Sequence, residues 1–366
     1  MTRGINAKTQ GRKDADKSGK YMNSSPLRVL ASWRLCVSLF LLPFLGSAAE
    51  AQAKETYLVI IAGIAGDEAH LERFHEASIT MREAALTRYG LSADRVFYLG
   101  ESPDKAPDAI HAKSTKESIT ALFQKLESTV RPGDQIYVLL VGHGSYDSEE
   151  ARFNLPGRDL SAADFDALLT PFREQPIVFV NTASASGAFL PVLAKPNRIV
   201  VTATKSGFER NETHFGKYFV EAYAGGAGDT DKNERVSVLE AFEYARLRVD
   251  GFYQEENLLK TEHAQLDDNG DGTGIAKPGE DSEGDRAGAA YLLGAQAAAS
   301  GVSPEDLSAD PELARLVETQ RDLEGRVEAL KLQKESLPED TYLQELERLL
   351  LELAAVTQQI EERTNK

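Results

Sequence analysis

Apolar runs bounded by turn residues alternate with amphipathic segments from about residue 55 to residue 208. Five of these runs are apolar nearly throughout and predict strands: TYLVIIAG, RVFYLG, DQIYVLLVGHG, PIVFVNTAS and RIVVTATKSG. Helical patterns separate them, as over residues 114–130, where Ser114 and Glu117 form a predicted capping box. Strands without polar alternation, separated by helices, predict an α/β fold with a mostly parallel sheet sandwiched by helices. The order of the strands is left open.

The pattern changes on either side of residue 300. Residues 225–300 are rich in Gly and Asp and predict loops, with one helix over about 237–249. Leucines then return at heptad spacing in two groups separated by LPED: Leu316, Leu323, Leu330 and Leu337, then Leu343, Leu346, Leu350, Leu353 and Ile360. This spacing predicts an antiparallel helical hairpin over 301–366. The hairpin either folds back onto its own domain or pairs with a coiled-coil partner or a second copy of the chain.

The N-terminal 53 residues differ from the rest of the chain in charge. They hold eight Lys or Arg against three Asp or Glu, so the net charge of −17 becomes −22 for residues 54–366. This acidity argues against a nucleic-acid partner, because phosphate binding depends on clustered cationic side chains. Basic residues up to Arg34, an apolar run over 37–45 and small residues at Ala51-Gln52-Ala53 predict a secretory signal peptide.

Cleavage near Ala53 would leave the protein exported, in the periplasm or outside the cell. An uncleaved anchor is the alternative, but Pro43 interrupts the short apolar run, so no stable membrane span is expected. The single cysteine, Cys36, lies inside this segment, so the exported form would hold neither a thiol nor a disulfide. We therefore divide the chain into a leader over 1–53, a sheet domain over 54–300 and the helical hairpin.

A histidine between two glycines, Gly142-His143-Gly144, directly follows the third predicted strand. Ligand sites in open parallel sheets collect at the carboxyl ends of the strands, and the fourth strand delivers residues 182–184 to that same edge. The glycines allow a tight turn, and the Gly144 N–H is expected to be free to face a substrate oxygen. A histidine that only hydrogen-bonds the backbone is the alternative.

These two motifs resemble those of the caspase-like cysteine peptidases, a group that includes caspases, gingipains and the legumain family. In that group one apolar strand ends in His-Gly and a later one in Ala-Cys. The legumain form, Ala-Cys-Glu-Ser-Gly, corresponds here to Ala183-Ser184-Ala185-Ser186-Gly187. The stretch ERNETHFGKYFVEAYA over 209–224 is also similar to bacterial legumain-like proteins. The resemblance spans about residues 55–274 and implies a caspase-like fold in which Ser184 replaces the nucleophilic cysteine.

This replacement decides the expected function. A cysteine is nucleophilic once partly ionised, whereas a serine needs its general base in hydrogen-bond contact. We therefore expect an inactive peptidase homologue that binds a peptide or a protein. One alternative is a serine-variant peptidase or esterase, with His143 as base and the Gly144 and Ser184 N–H groups as oxyanion donors. Another is a scaffold that acts through the helical hairpin.

A further enzyme hypothesis places a nucleophile elbow at Ser184 or Ser186, with His214 or His263 as the base. The elbow requires Gly-x-Ser-x-Gly, because glycines relieve crowding at a strained turn. Neither serine has both glycines. The hypothesis also leaves His143 without a role.

The acidic segment DTDKNERVSVLE has the ligand spacing of a calcium loop. Positions 1, 3, 5, 7, 9 and 12 are, in order, Asp229, Asp231, Asn233, the Arg235 carbonyl, Ser237 and Glu240. Position 6 is Glu234, where such loops use glycine. Ser237 and Glu240 also fit a capping box for the helix that follows. We favour a structural Ca²⁺ ion, with a solvated acidic loop as the alternative.

Two other features are not expected to be sites. The segment DDNGDG repeats the opening of the calcium loop from Asp267, but its twelfth position is Pro278, so a tight turn at Asn269 and Gly270 is expected instead. His70 and His75 lie five residues apart, whereas helical zinc ligands use a separation of four. Both histidines, and His111, are therefore expected to be surface residues.

Overall fold

A computed structural model describes residues 54–278, 283–292, 294, 310–331 and 337–364. The predicted leader and signal peptide over 1–53, with Cys36, lie outside the described residues. Residues 301–309 and 332–336 of the predicted hairpin lie outside them as well. Each helix within the described ranges is too short or too polar to cross a membrane.

Ten strands are present in the described part of the chain. In chain order they are β1 (Thr56–Ala62), β2 (Val96–Gly100), β3 (Ala112–Lys113), β4 (Gln135–Val141), β5 (Gly144–Tyr146), β6 (Ala151–Phe153), β7 (Leu160–Ser161), β8 (Ile177–Asn181), β9 (Arg198–Thr202) and β10 (Gln265–Asp267). Seven of these form one sheet with the order β10-β9-β8-β4-β1-β2-β3, in which β10 alone pairs antiparallel. The five predicted strands form its middle.

Nine helices are present in the same described ranges. They are α1 (Glu68–Thr87), α2 (Lys116–Glu127), α3 (Ala162–Leu169), α4 (Leu190–Leu193), α5 (Phe215–Gly225), α6 (Val238–Glu255), α7 (Asp285–Gly288), α8 (Pro311–Lys331) and α9 (Glu339–Thr364).

Helices cover both faces of the large sheet. In β1, Leu58 and Ile60 belong to the core formed with α1, α5 and α6, while Val59 and Ile61 belong to the core formed with α2, α3 and α4. All four side chains are fully buried. Since both strand faces are covered, successive positions are apolar, which explains the continuous apolar runs. The predicted α/β fold with a mostly parallel sheet between helices is confirmed.

A small antiparallel sheet, β5-β6-β7, lies between β4 and β8 in the sequence. Phe153 of β6 is fully buried. A Cβ atom on Gly142 would lie 2.9 Å from the Phe153 ring, so glycine is required where β4 meets this sheet. The contact holds the residues that follow β4 against the small sheet.

The helix caps agree with the sequence in one case and differ in another. The predicted cap of α2 at Ser114 is wrong, because the Thr115 side chain accepts the Ser118 N–H at 3.3 Å instead. The capping box of α6 is formed: Ser237 Oγ accepts the Glu240 N–H at 3.2 Å, and Glu240 Oε2 accepts the Ser237 N–H at 2.9 Å. The observed cap of α2, Thr115, is one residue after the predicted one, so the apolar face of α2 is unchanged.

The helices α8 and α9 pack against each other through apolar faces. Leu323 and Val327 share a buried cluster with Tyr342 and Leu349. The Arg363 guanidinium donates to the Asp310 carboxylate at 2.8 Å, which places the start of α8 beside the end of α9. The Arg235 guanidinium lies 3.2 Å from the Glu324 carboxylate, so α8 also contacts the sheet domain.

Two buried carboxyl groups lie side by side near the end of the sheet domain. Asp268 and Glu283 are each 2% exposed, and the Asp268 N–H donates to Glu283 Oε2 at 2.8 Å. The Asp268 carboxylate accepts the Ala287 N–H at 2.9 Å. Burial, followed by the hydrogen bond to Asp268, raises the pKa of Glu283 to about 8. Glu283 therefore holds a proton at neutral pH.

Because Glu283 is protonated in the folded state, the free energy of unfolding is expected to depend on pH. The folded state binds this proton more tightly than the unfolded chain, whose glutamate has a pKa near 4.5. The contribution to the free energy of unfolding is thus complete below about pH 4.5 and is lost as the pH rises through about 8. Urea denaturation should show Glu283→Gln to be less sensitive to pH across that window than the wild type. Glu312→Gln, at an exposed position of α8, should keep the wild-type dependence.

Candidate functional site

The strand register brings the two sequence motifs to one cavity. Strands β4 and β8 are parallel neighbours, with Leu140 opposite Asn181. The residues that follow them therefore emerge at the same carboxyl edge of the sheet. His143 and Ser184 both line a cavity of about 340 Å³ at this edge. The other predicted site residue, Gly144, begins β5.

The Ser184 hydroxyl is engaged by the backbone of Gly144. Its Oγ donates to the Gly144 carbonyl oxygen at 3.0 Å and accepts the Gly144 N–H at 3.3 Å. The side chain is nearly buried. The expectation that the Gly144 N–H is free is therefore wrong, because the backbones approach too closely: a Cβ atom on Gly144 would lie 2.3 Å from the Ser184 carbonyl oxygen. The hydroxyl proton points to a peptide carbonyl rather than to an imidazole.

The small residues after Ser184 follow from close backbone packing. Ala185 has a left-handed conformation, with φ of 56°, and its N–H donates to the Glu209 carbonyl oxygen at 2.7 Å. A Cβ atom on Gly187 would lie 2.2 Å from the Ser206 backbone nitrogen. Any larger side chain at Gly187 would separate this turn from the segment that follows β9. Glycine at residue 187 is thus a packing requirement as well as part of a motif.

The nucleophile-elbow hypothesis finds no support in the positions of its residues. Ser186 is fully buried, and its Oγ accepts the Thr204 N–H at 3.2 Å. The His263 Nδ1 lies 2.5 Å from Glu209 Oε1, whereas the hydroxyls of Ser184 and Ser186 have backbone partners instead. His214 borders the cavity, but its ring packs on Phe252, with centroids 4.0 Å apart.

The His143 ring packs against two aromatic rings of helix α1, those of His70 and Phe74. Its ring centroid is 5.1 Å from that of Phe74 and 4.8 Å from that of His70. Burial lowers the pKa of His143, and the charge of a protonated His70 lowers it further. A hydrogen bond to the Ala65 backbone acts in the opposite direction. The imidazole is therefore neutral at neutral pH, the form that accepts a proton or a hydrogen bond.

His70 is part of the site, so its prediction as a simple surface residue is wrong. Its Nδ1 lies 2.7 Å from Asp67 Oδ2, and its Nε2 lies 3.5 Å from Glu212 Oε2. Arg73 Nη1 lies 2.7 Å from the other Glu212 oxygen. The signal was available in the sequence: a helix that follows β1 starts at the carboxyl edge of the sheet, so its first turn faces the site.

Helix α5 forms the other wall of the cavity and is fixed at its N-terminus. The buried Glu262 carboxylate accepts the His214 N–H at 2.8 Å and the Phe215 N–H at 3.0 Å. Burial raises the pKa of Glu262, although these two hydrogen bonds lower it. Gly216 packs on Thr182, whose Oγ1 donates to the Leu140 carbonyl oxygen at 2.7 Å. The wall and the end of β8 are therefore in direct contact.

The predicted calcium loop places three carboxylates together. Oxygens of Asp229, Asp231 and Glu240 lie within 4.8 Å of one another. Glu234, at the position where such loops use glycine, has the left-handed conformation with φ of 64°. The other predicted ligands have internal partners: Asn233 Oδ1 accepts the Arg235 N–H at 2.9 Å, and Ser237 Oγ donates to Glu240 at 2.8 Å.

The second acidic segment forms the predicted tight turn. Gly270 and Gly272 both have φ of 82°. Their N–H groups donate to the two carboxylate oxygens of Asp267, each at 2.7 Å. The left-handed residues stand three and five positions after the first aspartate, as Lys232 and Glu234 do in the first loop. The two loops therefore share a backbone pattern, although only the first gathers three carboxylates.

No family model matches the chain, and no curated protein matches its sequence. The chemistry of the site is therefore derived from its own residues.

The contact between α5 and β8 gives a paired prediction. Gly216→Ala should lower the free energy of unfolding by roughly 1–3 kcal/mol, because its Cβ would lie 2.7 Å from Thr182 Oγ1. Gly251→Ala, in α6 with open space around it, should instead raise that free energy by roughly 0.5–1 kcal/mol. Urea denaturation of both variants measures the difference. Equal effects would contradict the close packing of α5 on Thr182.

Proposed function

We propose that this chain is an exported, legumain-related protein with a caspase-like fold that binds peptide or protein segments without hydrolysing them. The observation that carries the proposal is the engagement of the Ser184 hydroxyl by the Gly144 backbone, at 3.0 Å and 3.3 Å. The predicted signal peptide supports export. A partner that is a nucleic acid is disfavoured by the net charge of −22 over residues 54–366.

The family proposal is supported by the placement of the two motifs. The His-Gly and Ala-Ser motifs follow adjacent parallel strands and border one cavity, as a histidine–cysteine pair of the resembled peptidases would require. Ala183, Ser186 and Gly187 keep the residue types of the legumain motif. Two positions differ from that motif: Ser184 stands in place of the nucleophilic cysteine, and Ala185 in place of glutamate.

The binding proposal is supported by what the site retains. A cavity of about 340 Å³ between α1 and α5 has room for a side chain, and apolar groups such as Phe74 and Val220 lie beside charged ones such as Arg73 and Lys217. Burial lowers the pKa of His143, so the ring at the edge of this cavity is in the neutral form that can accept a hydrogen bond. Pockets that mix an apolar wall with a few fixed polar groups are typical of ligand sites.

Hydrolysis by Ser184 is disfavoured by the same geometry. A serine nucleophile needs its proton directed at the base, and loss of that arrangement costs several orders of magnitude in rate. Here the proton is directed at the Gly144 carbonyl oxygen. The serine-variant peptidase or esterase therefore stands as the alternative function, which requires a rotation of the Ser184 side chain on substrate binding.

A fluorophosphonate probe separates the two functions. We expect the wild type to remain unlabelled, because its hydroxyl is not activated. Labelling that disappears in Ser184→Ala but persists in Ser145→Ala, a nearby hydroxyl on β5, would establish the serine hydrolase instead. The complementary variant Ser184→Cys should show one more thiol that iodoacetamide alkylates than the wild type, whose single cysteine is Cys36, and peptidase activity that is lost in the double variant with His143→Ala. A folded Ser184→Cys protein without either property would contradict the family proposal.

The cofactor proposal is a structural Ca²⁺ ion in the first acidic loop. Three clustered carboxylates repel one another, and burial followed by the charge of Glu240 raises the pKa of Asp231. A divalent cation would relieve this repulsion, with oxygen ligands of the kind that Ca²⁺ prefers. The left-handed Glu234 gives the loop the turn that glycine usually provides.

Calcium binding should appear as an increase in stability. At a free Ca²⁺ concentration a hundredfold above Kd, the free energy of unfolding should rise by about 2.7 kcal/mol. The melting temperature, measured with Ca²⁺ and with excess chelator, should therefore differ for the wild type and not for Asp229→Ala. Asp271→Ala, a matched change in the second acidic loop, should keep the response. If the melting temperature of the wild type is the same with Ca²⁺ and with chelator, the calcium proposal is wrong and the loop is a solvated turn.

The scaffold hypothesis is favoured by one observation on α9. Leu343, Leu350 and Leu351 are 51%, 47% and 65% exposed, so apolar surface remains after α8 and α9 pack together. The contacts between these helices support the antiparallel hairpin proposed from the heptads. A coiled-coil partner or a second copy of the chain would pair with this surface.

A further inference from the structure

A second cavity adjoins the turn that carries Ser184. Its volume is about 920 Å³, and its lining includes Gly187 and Ala188 of that turn. Strand β5 leads from one cavity to the other, because Gly144 bonds Ser184 while Tyr146 lines the second cavity. Two residues of strand span about 7 Å. Tyr146 in the second cavity is therefore two residues along β5 from the Gly144 peptide group that bonds Ser184 of the first cavity.

An exposed aromatic pair forms one wall of the second cavity. The Tyr146 and Phe208 rings meet edge to face, with centroids 5.4 Å apart, and Phe208 is 67% exposed. The position of Tyr146 is fixed: a Cβ atom on Gly207 would lie 2.3 Å from its ring, and its hydroxyl donates to the Ser148 carbonyl oxygen at 3.0 Å. The pair is therefore an apolar platform that is anchored at Tyr146 and open to solvent at Phe208.

Three carboxylates line the same cavity as this platform, together with the cations Arg152 and Lys205, of which Lys205 lies 3.8 Å from Glu209. Asp147, Glu149 and Glu150 all line the cavity. Arg152 lies 2.7 Å from Asp147 and 2.6 Å from Glu150, so its charge is shared by two carboxylates. Glu149 is exposed and forms no ion pair with any residue that the structure describes. An aromatic face next to an unpaired carboxylate is the combination that binds a lysine or arginine side chain.

We propose that the second cavity selects peptide segments with a Lys or Arg side chain. Its aliphatic stem would lie on Phe208 and Tyr146, and its charge would face Glu149. This inference rests on the proposed function and names the class of peptide that the site binds. The net charge of −22 over residues 54–366 favours the same basic partner over an acidic one.

The test uses the full chain and four pools of fluorescein-labelled decapeptides. Each pool is random except for one central position, fixed as Lys, Arg, norleucine or Glu, and binding is measured by fluorescence anisotropy. The Lys and Arg pools should bind roughly threefold to tenfold more tightly than the norleucine pool, and the Glu pool should bind least. Phe208→Ala and Glu149→Gln should each reduce this preference. Leu259→Ala, a 90% exposed position that lines neither cavity, should leave it unchanged.

The outcomes distinguish this inference from the function on which it rests. Pools that bind equally well to the wild type would overturn the basic selectivity and leave peptide binding intact. A preference that survives in both Phe208→Ala and Glu149→Gln would show that the selectivity arises elsewhere, which also overturns the inference. Absence of binding by every pool would overturn the proposed function together with it. Melting temperatures close to that of the wild type establish that the variants are folded.

Discussion

The site depends on one backbone contact, the approach of the Ser184 turn to Gly144. The carbonyl oxygen of Ser184 occupies the space that a side chain at residue 144 would need, at 2.3 Å from its Cβ position. Two hydrogen bonds between the serine hydroxyl and the Gly144 peptide group close the same contact. The end of β8, the start of β5 and the small sheet are thereby fixed together, and both cavities take their shape from that arrangement.

Charge around His143 is organised by helix α1 rather than by the strands. Asp67 caps the helix, accepting the His70 N–H at 2.8 Å, and also binds the His70 ring. Glu212 lies between His70 and Arg73. His143 is held beside this network by ring packing and by a hydrogen bond to the Ala65 backbone, and its partial burial lowers the pKa of its ring below that of an isolated histidine. A neutral acceptor within a ring of charged groups suits recognition of a polar ligand.

The sequence predicts the central strands of the large sheet, but it does not predict the small sheet and the contacts that form the site. Continuous apolar runs such as that of β4 identify strands covered on both faces, and Ser237 with Glu240 identifies a local cap. The strands β5 and β7, of three and two residues, are too short to show alternation. The spacing of His70 from His75 argues only against a helical zinc pair, whereas the contact of His70 with His143 comes from the topology that brings the start of α1 to the carboxyl edge. The sequence predicts that Ser184 lies at the carboxyl edge of the sheet, but it does not predict the hydrogen bonds to Gly144 that decide the chemistry of the hydroxyl.

Those hydrogen bonds give oxygen a role that sulfur would not fill. A thiol is a weak donor and a weak acceptor, so a cysteine at residue 184 would gain little from the Gly144 peptide group and would remain available to a nearby imidazole. A hydroxyl is a good donor and acceptor, and here it satisfies both groups of that peptide. The Ser184 oxygen is therefore a structural link between the turn after β8 and the start of β5, and it keeps the turn closed.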